Sequence, residues 1–162
     1  MFWRDVMSDA LVETWLINDR INRYLLEAIP VEALGDVSLS KPPGRSVGEQ
    51  FAHMHNVRLM WLDAAAPALK NGLIKVEKDA ANGKALLMSS LEASGAAIAQ
   101  LVEQSVAAGG KVKGFKPHAT AFVGYLCAHE GYHRGEIGII LHQAGHKLEQ
   151  KTAYGLWEWG TR

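Results

Sequence analysis

The residues best suited to chemistry lie in one stretch, 126–137, Leu-Cys-Ala-His-Glu-Gly-Tyr-His-Arg-Gly-Glu-Ile. His129 and His133 are four apart, a spacing that turns about 400° on a helix and brings both imidazoles out of one face roughly one turn apart. Their neighbours on that face are Phe122, Tyr125, Leu126, Ile137 and Ile140, an apolar stripe expected to face a core. A buried imidazole needs partners for its ring nitrogens, and a divalent metal ion answers for both histidines at once. A third imidazole on a core-facing pattern is His53, on a stripe with Gln50, Val57, Met60 and Trp61. Three protein ligands with an open position are the layout of a catalytic metal site rather than a closed structural one. Three neutral histidines leave the ion its full charge, which favours an anionic or thiolate ligand and lowers the pKa of bound water. The competing explanation is plain packing. Core histidines are commonly satisfied by a carbonyl or a neighbouring side chain, and His-x-x-x-His occurs by chance in helices.

Other residues near the pair have open roles. Glu130 lies about 100° round the helix from His129 and is an acceptor behind a ligand, an acid/base group, or a solvated glutamate. Arg134 is a local ion-pair partner or a contact for an anionic substrate, with Glu136 close by. Tyr125, one turn before His129, is a proton donor or a pocket wall, with core packing the simpler role. Gly135 suggests a close helix approach. Cys127 points about 200° away from His129 and reads as a small buried hydrophobe with no base paired to it. His55 points away from His53 and reads as surface or interface. His118, His142 and His146 read as solvated or capping groups, His142 at a helix C-terminus.

These residues require four long helices to position them. The first is expected over 8–29, with apolar Leu11, Trp15, Leu16, Tyr24, Leu25 and Ile29, and with Glu13, Asp19, Arg20, Arg23 and Glu27 on other faces. Ser8 or Asp9 is its candidate cap, and Pro30 marks its end. Residues 30–45, with three prolines and two glycines, form a long connection that must wrap or cross something. Ser46-Val47-Gly48-Glu49 reads as a capping box opening a second helix that runs to about Leu69. A third helix is expected over 83–107, with a seam of Leu87, Leu91, Ser94, Ile98 and Leu101, stopping at Gly109-Gly110. The fourth starts near Pro117 and ends at Gly145, a left-handed cap. Residues 71–82 are a connection with at most a short turn. In the tail, Trp157 and Trp159 are expected to pack on the bundle or on a partner. With no strand pattern, the fold class is all-α, a four-helix bundle with a long first crossover, as one domain over 1–162. The long first and shorter third connections argue against simple up-down-up-down topology.

Composition narrows the function classes. Lys+Arg and Asp+Glu are both 17, so the formal net charge is zero, and there is no electrostatic footprint for nucleic acid or anionic lipid. No apolar run approaches membrane-spanning length. The single cysteine, Cys127, precludes an intrachain disulfide and suits a reducing cytoplasm. The N-terminus lacks the apolar run of a signal peptide.

Ser46-Val47-Gly48-Glu49-Gln50-Phe51-Ala52-His53, followed by Met-His-Asn-Val-Arg-Leu-Met-Trp, resembles the second helix of the DinB/YfiT-like family. Ala128-His129-Glu130-Gly131-Tyr132-His133-Arg134-Gly135-Glu136-Ile137 resembles its other signature, usually His-Glu-x-His-His-Arg-Gly-Gln-Ile, and Leu156-Trp157-Glu158-Trp159 is similar to family C-termini. The resemblance implies a bundle with a long first crossover, a homodimer, and a divalent metal held by His53, His129 and His133. It also implies, among relatives, transferases and isomerases that use low-molecular-weight thiols, and some metal-dependent hydrolases. Tyr132 stands where a histidine is common and Glu136 where glutamine is, departures that spare the ligands but alter their surroundings. Zinc or nickel is the expected ion, since three imidazoles suit several metals. The expected activity is S-transfer. The alternatives are a hydrolase with Glu130 as acid/base partner, or a non-catalytic, stress-related metal-binding dimer.

Overall fold

The computed structural model describes the backbone of residues 2–162 and the side chains from residue 9 onward. Four long helices account for most of it: α1 (Phe2–Ala28), α2 (Val47–Ala65), α3 (Lys84–Ala107) and α4 (Ala119–Ala144). A short α5 (Gln150–Gly155) follows. The chain is all-α, and no strand occurs among the described residues. Helix α1 is already running at Phe2, so Ser8 and Asp9 lie inside it and do not cap it. The box at α2 forms as its sequence requires. The Glu49 amide donates to Ser46 Oγ at 3.3 Å and the Ser46 amide donates to Glu49 Oε2 at 3.0 Å, satisfying two orphan donors reciprocally. At α4 the cap is His118, whose Nδ1 accepts from the Ala121 amide at 3.1 Å, so Pro117 stands outside the first turn. Gly145 closes α4 in the left-handed region, φ 84°, where a Cβ would be strained.

Helix directions follow from which ends share a core. Leu25 and Leu26 of α1 and Ile137 and Ile140 of α4 pack with Val47 and Phe51 of α2 and Leu87 and Leu91 of α3. The ends of α1 and α4 therefore meet the starts of α2 and α3. At the opposite end Trp15 and Phe122 pack with Leu59, Leu62, Ile98 and Val102. The order is up-down-down-up. Helices α1 and α2 each pack on both α3 and α4, so α1 and α2 occupy one diagonal.

Connection 29–46 crosses that diagonal at one end, burying Ala33 and Leu34 of a 3-10 turn. Connection 66–83 must run the length of the bundle, because α2 and α3 are parallel. It does so through two 3-10 turns, Pro67–Lys70 and Lys78–Ala80. This second long crossover was expected only as a modest link. Where it passes α2, a Cβ on Gly48 would collide with the Ala81 carbonyl oxygen.

Between the two apolar clusters lies a buried charged layer. Arg58, fully buried, donates from Nε and Nη2 to Glu130 (2.7 and 3.1 Å) and from Nη1 to Asp19 (2.7 Å) and the Leu91 carbonyl (2.8 Å). Asn18 and Asn22 each donate to Glu130 Oε2 at 2.6 Å. Trp15 lies beneath the guanidinium, 4.8 Å from ring to carbon, and donates its indole N–H to the Gly95 carbonyl. A Cβ on Gly95 would stand 2.5 Å from the Asp19 carboxylate, so α1 and α3 approach here only because α3 has glycine. Burial penalises the Arg58 charge, yet Glu130 and Asp19 outweigh that penalty and raise its pKa. Asp19, expected on a face other than the apolar one, is 2 % exposed and paired inside. In the tail Trp157 is 80 % exposed, so it does not pack on the bundle.

Candidate metal centre

Helices α2 and α4 run antiparallel as neighbours, and their facing stripes bring His53, His129 and His133 together. One candidate donor atom from each lies within 4.8 Å of the others. His129 Nε2 and His133 Nε2 are 3.1 Å apart. His133 is buried, whereas His53 and His129 are half-buried, so the cluster opens to solvent on one side.

The surrounding hydrogen bonds fix what one nitrogen presents. Gln50 Nε2 donates to Glu136 Oε2 at 2.9 Å, so its amide oxygen is the atom 2.6 Å from His133 Nδ1. An amide oxygen only accepts, which makes Nδ1 of His133 the protonated nitrogen and turns its Nε2 lone pair toward His129. Glu136 Oε2 adds a contact to the same Nδ1 at 3.3 Å. Without an ion, the acceptor at His133 Nε2 makes His129 donate from its own Nε2 across the 3.1 Å contact, and His129 Nδ1 is buried with no partner among the described residues. A cation between the facing Nε2 atoms would take the place of that proton. The donor set therefore fits a divalent ion, with the Gln50–Glu136 clamp in the role that outer partners of metal-bound histidines take.

Electrostatics keep these lone pairs free. Burial lowers the pKa of all three histidines, and the Arg45 charge adds to the effect at each. His53 falls to about 4. The imidazoles are neutral at neutral pH, the form that ligates.

The DinB family model matches residues 6–161. The chain belongs to the DinB family. No curated protein and no solved structure matches it.

The two departures of this DinB protein from the usual signature prove to be joined. Tyr132 Oη donates to Glu136 Oε1 at 2.9 Å, behind the His133 clamp. Tyr125 stacks on His129 with ring centroids 6.1 Å apart and 21° between planes, and meets Trp61 edge-on at 5.8 Å. It is about one-third exposed and forms an aromatic rim to the site.

Glu130 and Arg134 turn the other way, toward α1. Glu130 is fully buried and accepts from Arg58, Asn18 and Asn22, so the solvated alternative does not hold. Arg134 Nη1 donates to Asn18 Oδ1 and Asn22 Oδ1 at 2.9 and 2.6 Å, binding the same layer from its outer side. The Cys127 thiol is pushed up to about 11 by burial and by Glu130, in keeping with an inert packed side chain. A Cβ on Gly135 would meet nothing within 4 Å, so no close approach requires that glycine among the described residues.

Of the other histidines, His118 caps α4, and His142 sits exposed in the last turn of that helix. His55 is a correction. It is 1 % exposed, held between the Ser90 and Ile74 carbonyls at 2.9 Å each, because the second crossover covers the α2 face expected to meet solvent. His146 is also tied down, 2.6 Å from Asp36 Oδ2. Gln50 and Arg58 were missed as functional or structural polar groups. Gln50 sits three residues before His53, on one helical face with it, and that spacing is the signal that could have found it.

Proposed function

We propose that this DinB protein holds zinc or nickel through His53, His129 and His133 and catalyses transfer of a low-molecular-weight thiol to an electrophile. The observation that carries the reading is a three-imidazole donor set open on one side, with its rings neutral and the His133 lone pair oriented. When bound, the ion supplies Lewis acidity that lowers the pKa of a thiol presented at the open position. The proposed net reaction would form one carbon–sulfur bond as the electrophile's leaving group departs and the thiol proton passes to solvent. Gln50 and Glu136 hold the His133 ring. The Tyr125 and Trp61 rim offers an apolar wall for the organic part of the substrate. Hydrolysis is less well supported, because Glu130, its expected base, accepts four hydrogen bonds in the core. A purely structural ion is less well supported, because closed cages lack an open face.

A homodimer in the cytoplasm completes the reading. Tyr132 and Ile139, 63 and 59 % exposed on α4, favour a covered face. The experiment is a screen of zinc- and nickel-loaded protein against electrophiles with several low-molecular-weight thiols. Metal-dependent thioether formation is expected, and no thiol dependence with either metal contradicts the proposal.

A further inference from the structure

We infer that Glu136 is a positioning residue that sets the tautomer of His133. Acting through Gln50, it keeps the His133 proton on Nδ1 and the Nε2 lone pair turned to the imidazole cluster. The metal-site reading above enters only in what that lone pair serves.

Four contacts run in series from the surface to the imidazoles. Tyr132 Oη lies 2.9 Å from Glu136 Oε1, and Glu136 Oε2 lies 2.9 Å from Gln50 Nε2. Gln50 Oε1 lies 2.6 Å from His133 Nδ1, and His133 Nε2 lies 3.1 Å from His129 Nε2. Tyr132 is exposed and His133 is buried. An ionised carboxylate has no hydrogen to give. Glu136 therefore accepts at both oxygens, from the Tyr132 hydroxyl and from Gln50. Whichever half of the Gln50 amide faces it must be the NH2, which leaves the amide oxygen for His133. That oxygen takes only a donor, so Nδ1 carries the proton. With the Gln50 amide turned over, two acceptors would meet across the 2.9 Å contact. Glu136 Oε2 also stands 3.3 Å from His133 Nδ1, where its charge again favours a proton on that nitrogen.

Glutamine at 136, the commoner residue of the signature, cannot impose this direction, because its own amide can turn over. With its oxygen toward Gln50, the series runs as in the native chain and its NH2 donates to Tyr132 Oη. With its NH2 toward Gln50, the Gln50 amide turns over too and donates to His133 Nδ1. His133 then carries its proton on Nε2 and donates to His129. Both settings satisfy every contact of the series, and only the first leaves His133 Nε2 free to ligate.

The test is made on the isotope-labelled, metal-free full chain at neutral pH. Long-range proton–nitrogen correlation spectra report which ring nitrogen carries the proton, and the His133 signals are identified by their loss in His133→Gln. The native chain should show His133 protonated at Nδ1 alone. Glu136→Gln, a change of equal volume at a half-buried position, should give a mixture of tautomers. Tyr132→Phe leaves the carboxylate in place and should keep the native form. The zinc dissociation constant, measured by chelator competition, should rise in Glu136→Gln by the inverse of the fraction still protonated at Nδ1, about twofold for an even mixture. A native His133 protonated at Nε2 overturns the inference, as does a Glu136→Gln chain protonated at Nδ1 alone. A mixture in Tyr132→Phe equal to that in Glu136→Gln also overturns it, since loss of any bond would then suffice. If zinc does not bind, or its constant ignores the mixture, the metal-site reading fails on its own and the tautomers alone decide the inference.

Discussion

Replacing Glu130 with glutamine isolates the buried charged layer from the metal centre. The side chain keeps its volume, so no cavity opens. Oε1 accepts from Arg58 Nε, and Oε2 accepts from Arg58 Nη2, Asn18 Nδ2 and Asn22 Nδ2. With the amide oxygen toward the three donors at Oε2, the new NH2 faces the Arg58 Nε–H, and two donors oppose each other. Arg58, fully buried, is left with Asp19 as its only carboxylate. Breaking a buried pair by removing one partner costs about 3–5 kcal/mol. The remaining Asp19 bond argues for the lower figure, about 3 kcal/mol by the same principle. In a chain of this size each kcal/mol is worth about 2–4 °C, so the melting temperature should fall by roughly 6–12 °C. The assay is thermal and urea unfolding followed by circular dichroism, with metal content measured on the same samples. Metal content should not change, since Glu130 is no donor to the site. A loss of under about 1 kcal/mol, the range of an exposed pair, would refute the claim that this layer depends on Glu130. Loss of metal without loss of stability would instead return Glu130 to the site.

Two further outcomes follow from the clamp and the pKa shifts. Gln50→Ala removes the acceptor that holds His133 Nδ1, and the metal dissociation constant measured by chelator competition should rise about tenfold, the lower range for such outer partners; an unchanged constant means the clamp is idle. Burial lowers the pKa of His53, His55, His129 and His133 in the folded state, so below the unfolded value near 6.5 the unfolded chain binds more protons. The stability of the metal-free protein, present above that pH, should then decline as pH falls from about 6.5 towards 4, read as a lower urea midpoint at pH 5 than at pH 7.5. An equal midpoint at both values contradicts the shifts.

The histidine cluster was legible because helical spacing is a local rule. His129 and His133 announce a shared face, and His53 lies on a core stripe of its own helix. The capping box at Ser46 and the left-handed end at Gly145 were legible for the same reason. What escaped depends on partners distant in sequence. Asp19 and Arg58 each look like solvated charges within their own helices, and only the crossing of α1, α2 and α4 pairs them. A small-residue step in α3, Ser94-Gly95, is the local trace of that crossing, yet a glycine in a seam has many explanations. His55 was misread because helical periodicity says which way a side chain points and not what lies there. The second crossover has no periodic apolar pattern across its length, so its path over α2 and its parallel outcome were invisible. Glu136 could be placed near the site, and its bond to Tyr132 four residues away follows helical spacing, but its bond to Gln50 required the geometry of two helices.

The central claim is that His53, His129 and His133 together hold a divalent ion, and elemental analysis of purified protein tests it most directly. The native chain should carry stoichiometric metal, and His53→Ala, on a separate helix from the other two ligands, should lose it while remaining helical. Unchanged metal content in His53→Ala would contradict the three-histidine centre.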